Sequence, residues 1–333
     1  MPTLLVTKKM SPELAARVEA SVAGKRALPG ARVAPRTRSL LRIVAFSTIV
    51  ACGAWFALSL QRFKRDTESQ RAALLAQWTD ASRDVDPQEL RMPTALHPFL
   101  LKLSGSYPED LVADEMRLPG AFEATLARPT VYVRGPLSNF DSMSTVQESA
   151  QNSFVDAFVL CLQKPPPERK EKLLRAKARA ALFADSEDMK RTAHVARLHD
   201  AFLGLPFLAP DWQDRVAQAS SQEEIAKLKK RFDRAPLDAA KRALRAKLLL
   251  VVMDEPGDKS APAELDGERP HAVRVGLVDL STQKLLLRLR RQVDPSWISA
   301  AGRAEFAVGI DSCALAMDVH AATREEPAPD AGP

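Results

Sequence analysis

Two cysteines and three arginines carry the patterns that most suggest chemistry in this chain. Cys161 and Cys313 each fall on the apolar face of a predicted helix, and both helices are expected to pack on one sheet. In an oxidising compartment such a pair tends to be joined, so the placement predicts a disulfide between the two helices. Two separate buried thiols are the competing reading, because a free cysteine packs as a small hydrophobe. A Cα separation beyond about 7 Å excludes the bond. Arg274, Arg288 and Arg290 alternate with apolar residues across a predicted hairpin, which puts them on one face with Lys284 and Arg291 nearby. Guanidinium groups clustered in this way can hold an anionic partner: a phospholipid head group, a cell-wall polymer or an acidic protein patch. The plainer reading is the wet face of a half-buried sheet.

Other candidates carry less. Asp254, Glu255 and Asp258 gather at a strand end, where paired carboxylates can do acid–base work. The residues around them (Pro256, Gly257, Lys259, Ser260, Pro262) read as a solvated, charged loop. His194 and His199 are five positions apart, a turn of about 140° on a helix, so they cannot hold one ion from a regular helix. His271 and His320 read as surface or strand-end residues. There is no Gly-x-Ser-x-Gly elbow and no glycine-rich phosphate loop, and 13 glycines in 333 residues are few for a nucleotide-binding enzyme. The sequence therefore predicts no catalytic residue, no metal and no cofactor.

The formal charge of +6 is unevenly spread. Residues 1–42 hold nine basic and two acidic residues, whereas residues 62–333 hold 39 basic and 40 acidic. The basic character belongs to a short tail, which argues against nucleic acid as a partner of the large domain.

Between the two lies a run without charge, Ile43 to Gln61, bracketed by Arg36, Arg38 and Arg42 and by Arg62, Lys64 and Arg65. At about 1.5 Å per helical residue it nearly matches a hydrocarbon core of about 30 Å, and it predicts a transmembrane helix over 39–61. Basic residues are denser before the run than after it. The tail is therefore expected in the cytoplasm and the C-terminal domain outside, in a single-pass protein of a bacterial inner membrane with the lipid bilayer as one partner. A second reading takes Ile49-Val50-Ala51-Cys52 as a lipoprotein box with Cys52 lipidated. Its leader would be long, and the residues after Cys52 stay apolar.

The elements that must position the candidate residues follow from local pattern. Residues 1–38 read as a disordered basic tail with one candidate helix over 12–24. Residues 62–129 read as a helical stalk and a proline-rich connection, because internal proline breaks helices. An α+β domain is expected over 130–322 and a disordered acidic tail over 323–333. Within the domain, Thr130 to Arg134 reads as a strand. A capping box at Ser144 and Gln147 opens a helix to about Leu162. Residues 168–246 read as consecutive helices, one of them opened by Ser220 or Ser221 with Glu223 or Glu224.

Leu248 to Met253 is apolar on both faces, as a central strand should be. A hairpin turns between Asp279 and Lys284, with Gln283 where glycine is expected. Asp294 and Pro295 open a final helix, which Gly302 and Gly309 weaken. The result is a mainly antiparallel four-stranded sheet packed by helices. The function expected is a non-enzymatic binding or scaffold module of the cell envelope, its partner another envelope protein or an anionic envelope component. Two further readings stay open: a membrane-tethered enzyme whose site is built from scattered residues, and a transmembrane signal transducer that docks through helix 12–24.

Overall fold

The apolar run from Leu248 to Met253 forms the middle of a mixed six-stranded sheet. Its strands in chain order are β1 (Leu111–Val112), β2 (Thr130–Pro136), β3 (Val195–Arg197), β4 (Leu248–Asp254), β5 (His271–Asp279) and β6 (Lys284–Val293). Across the sheet they run β1-β6-β5-β4-β2-β3. The computed structural model describes residues 35–152, 157–181, 192–256 and 270–324, with Glu13, Ala16, Arg17 and Glu19 as isolated helical positions. Over 35–45, 148–152 and 303–308 only the main chain is described. Most of the candidate helix over 12–24, Asp258, and the tail beyond Arg324 lie outside the described residues.

The α+β class stands, but the sheet differs from the four mainly antiparallel strands expected. β4 pairs with β2 in parallel, from Thr130↔Leu248 to Pro136↔Asp254, and β3 adds to β2 in parallel. β4–β5, β5–β6 and β1–β6 are antiparallel. Two neighbouring strands joined by a short turn must be antiparallel, but a long helical crossover leaves either direction open. The chain between β2 and β4 is such a crossover. β1 and β3, two and three residues long, are too short to show any period.

The helices described are α1 (Pro35–Ser82), α2 (Met92–Ser104), α3 (Asp114–Arg117), α4 (Ala121–Leu126), α5 (Met143–Asn152), α6 (Ala157–Gln163), α7 (Glu171–Ala181), α8 (Leu198–Leu208), α9 (Pro210–Gln218), α10 (Gln222–Arg234), α11 (Leu237–Leu244) and α12 (Ala300–Arg324). The chain divides into two units, Met1–Asp66 and Thr67–Pro333.

In the first unit, Phe46, Ile49, Trp55 and Phe56 of α1 are exposed. Among the described residues no helix is long and apolar enough to cross a membrane. Small or polar residues interrupt the apolar run of α1. Ser47, Thr48, Gly53 and Ser59 dilute it, and Arg62, Lys64 and Arg65 close it. The predicted span over 39–61, and the single-pass inner-membrane location with an outside domain, are corrected accordingly.

In the second unit the sheet is covered on both faces. Tyr132, Leu250, Val252, Val273, Val275 and Leu289 face α6, α7 and α12. Val131, Val133, Leu249, Val251 and Met253 face α2, α8 and α11. A smaller core joins Leu74 of α1 to Trp212, Val216, Ile225 and Phe232 of α9 and α10. Local signals set several boundaries. Ser221 accepts the Glu224 N–H at 3.2 Å, while the Glu224 carboxylate takes the Ser220 N–H at 2.9 Å. At the hairpin turn Asp279 Oδ1 accepts the N–H groups of Ser281 and Thr282 at 2.8 and 3.0 Å, and Gln283 adopts a left-handed φ of 57°.

Other boundaries moved. Ser142, not Ser144, caps α5 by exchanging hydrogen bonds with Thr145. The helix expected to reach Leu162 is described over α5 and α6, and residues 153–156 between them lie outside the described residues. Asp294 caps only a short 3-10 turn, Pro295–Trp297. α12 is unbroken through Gly302 and Gly309. A Cβ at Gly309 would lie 2.6 Å from that of Ala178, so the missing side chain lets α12 sit closely on α7. Packing there offsets the low helix propensity of glycine. Gly309→Val should cost about 1–3 kcal/mol by overpacking. Urea unfolding checks this, and an unchanged midpoint would rule out the close approach.

Candidate functional site

The arginine face begins with strand register. Arg274 on β5 lies opposite Arg290 on β6, and Gly276 opposite Arg288, so all three predicted arginines share one face of the hairpin. They are not equivalent. Arg274 donates through Nη1 to the carbonyls of Leu103 and Ser104 at 3.2 and 3.3 Å, and to that of Gly105. It therefore caps the C-terminus of α2, whose last carbonyls lack helical partners. Its Nε is bound to Glu255. Arg290 binds the same carboxylate at 2.6 Å. Burial pushes the Glu255 carboxyl up, but the hydrogen bonds from Arg290 and Arg274 outweigh it and hold it below the usual range.

Tyr107 lies beneath this pair of strands. Its ring carries the Arg274 guanidinium at 5.4 Å and that of Arg288 at 5.8 Å, an attraction between cation and ring face. Its hydroxyl donates to Asp110, which also binds Arg291 and accepts the Arg290 N–H at 3.0 Å. Burial, then Asp110, raises the Tyr107 hydroxyl far above its ordinary value. Arg288 donates through Nε to the Glu109 carbonyl at 3.0 Å. Among the described residues it forms no salt bridge. Arg274 and Arg290 are thus tied down by carboxylate, and Arg288 is the oriented cation left available.

A second constellation was not expected. Arg134 of β2 points to the α12 side of the sheet and donates to Asp254 through Nε at 3.1 Å and Nη2 at 3.0 Å. Its Nη1 donates to Ser312 Oγ on α12 at 2.7 Å. His271 Nε2, at the start of β5, lies 3.2 Å from Asp254 Oδ1. Asp311 is adjacent on α12. All five side chains are at least nine-tenths buried. Burial pushes the Asp254 carboxyl up, but the Arg134 charge, with hydrogen bonds from His271 and Arg134, holds it below the usual range.

These groups sit where the parallel strands β2 and β4 end, a place where open sheets often carry ligands. Here the space is filled by α12. Asp254 was read as part of a solvated loop, and His271 and His320 as surface or strand-end residues. His271 does open β5, but it is buried. His320 is 3% exposed on α12, with Nε2 2.7 Å from the Leu162 carbonyl oxygen. One signal could have found the cluster: Arg134 and Asp254 each end an otherwise apolar strand with opposite charges.

Cys161 on α6 and Cys313 on α12 have Cα atoms 5.1 Å apart, and the sulfurs are joined. His194 lies 2.8 Å from the Leu126 carbonyl oxygen, while His199 sits on α8, so the two do not converge. Among the described residues no group of three or more His, Cys, Asp or Glu side chains is placed to hold a metal.

Removing one partner from a buried ion pair strands the other charge. Arg134→Met should cost about 3–5 kcal/mol, and Arg134→Met with Asp254→Leu should recover most of it, measured by chemical denaturation. Because Asp254 is depressed in the fold, its contribution is present above the ordinary carboxylate range and is lost as pH falls below about 4. The double variant should lose that acid sensitivity. No protein-family model, no curated protein and no solved structure matches this chain.

Proposed function

We propose that the second unit is a non-enzymatic binding module whose contact face is centred on Arg288, and that its partner is a protein surface rich in carboxylates. The observation that carries the reading is the state of that guanidinium. It is held by the Glu109 carbonyl and the Tyr107 ring, and it has no acidic partner among the described residues. A planar guanidinium held in one orientation binds a carboxylate through two parallel hydrogen bonds with little further ordering. Aromatic rings and arginines are also the side chains that most often dominate protein interfaces. The neighbouring Arg290 and Arg291 are matched by Glu255 and Asp110. The face is therefore mixed in charge, which suits carboxylates spaced along a peptide or protein surface better than the continuous charge of a membrane or nucleic acid.

The enzyme reading has one observation in its favour, the charged cluster at the ends of β2 and β4. Its groups are at least nine-tenths buried, and Ser312 of α12 lies against Arg134.

The test uses a synthetic oligo-glutamate peptide as probe and an oligo-lysine peptide as control, titrated against the full chain by calorimetry at low salt. Oligo-glutamate should bind, and Arg288→Glu should weaken it at least about tenfold, or about 1.4 kcal/mol. Circular dichroism should be unchanged in the variant. Arg274 is left intact because it caps α2. Absence of oligo-glutamate binding to the parent chain, or equal binding by the variant, would overturn the proposal.

A further inference from the structure

Asp311, Ser312 and Cys313 are consecutive on α12, and all three face the interior. Ser312 accepts from Arg134, and Cys313 is joined to Cys161. Asp311 differs from both: its Oδ2 is buried without a hydrogen-bond partner, and the residue is 5% exposed. An ionised carboxylate in that position is costly, whereas the neutral acid loses at most one hydrogen bond.

The charged groups around it come from each neighbouring element. Among the described residues they are His271 on β5, Arg169 ahead of α7, Asp294 ahead of α12 and Arg134 on β2. Both guanidinium groups among them are already engaged. Arg134 is committed to Asp254 of β4 and to Ser312. Arg169 is bound to Asp318 on the same helix at 2.8 Å. α6 offers Phe158, Cys161 and Leu162, which are apolar. On α7, Glu171 and Arg175 are tied to each other and to Ser299.

We propose that Asp311 is a proton-dependent lock on α12: the helix seats fully on the sheet while this carboxyl is neutral, and ionisation loosens the seat. Burial, opposed by His271 and Arg169, pushes Asp311 up to about 7, from an ordinary value of 3.8. The sign follows from proton linkage. Between about pH 4 and pH 7 the seated form keeps a proton that the opened form loses, so opening becomes easier as pH rises. Above about 7 both forms are ionised and the effect levels off. Asp254, whose carboxyl is depressed, titrates below this window. This inference is independent of the binding face.

The experiment is amide hydrogen exchange by mass spectrometry on the full chain, without reductant, from pH 5 to pH 8.5. Rates over residues 309–324 are corrected for intrinsic exchange. The opening constant should rise roughly tenfold per pH unit up to about pH 7 and then level off. Asp311→Asn keeps the shape without the charge, and its profile should lose most of the rise, with Asp318, raised by burial, and His320, lowered by burial, still on the same helix. His271→Gln should retain the rise. A flat profile in the parent chain, a rise undiminished in Asp311→Asn, or a rise lost only in His271→Gln would overturn the lock.

Discussion

The paired charges of Arg134 and Asp254 sit at the ends of the two central parallel strands, and the second unit is built around keeping them together. A lone arginine or aspartate at that depth would be costly. Pairing them in two parallel hydrogen bonds requires β2 and β4 to be adjacent and in one register, because a slip of one residue would turn one of the two side chains to the opposite face. That register is the one observed, with Arg134 opposite Val252 and Pro136 opposite Asp254. Ser312 then ties α12 to the pair, and the joined cysteines hold the same helix one residue further on. One polar contact therefore specifies strand order, register and the seat of the last helix. The apolar contacts around it supply most of the burial but would tolerate more than one arrangement.

The arginine face shows how similar residues acquire different roles from their surroundings. Arg274 faces the end of α2 and becomes a helix cap. Arg290 faces Glu255 and becomes half of a surface ion pair, the kind that contributes little to stability. Arg288 faces the ring of Tyr107 and a carbonyl, which orient it without neutralising it. Tyr107 and Asp110 belong to the chain just before β1, far from the hairpin in sequence. The hairpin pattern alone therefore showed that the arginines share a side, and nothing about which of them is occupied.

The uncharged run before Arg62 carries the plainest correction. The pattern of charge and length points to a membrane span, but among the described residues no helix is long and apolar enough to cross a membrane. The later part of the same helix packs instead. Leu74 joins Trp212 and Phe232 in a small core, and Arg71 donates to the Ala219 carbonyl at 2.6 Å, closing the end of α9.

What the sequence determined by itself was local. The two-sided apolar run of β4, the alternation of β5 and β6, the turn chemistry of Asp279, the Ser221–Glu224 cap and the α+β class all depend on neighbours within a few residues. Their physical causes, side-chain period and local hydrogen bonding, can be read from a short window. The direction of β2 against β4, the short strands β1 and β3, the unbroken course of α12 through Gly309 and the burial of Asp254, His271 and His320 were decided only by tertiary structure. Each depends on which surface lies opposite, and a residue's environment, unlike its propensity, is set by partners outside any short window.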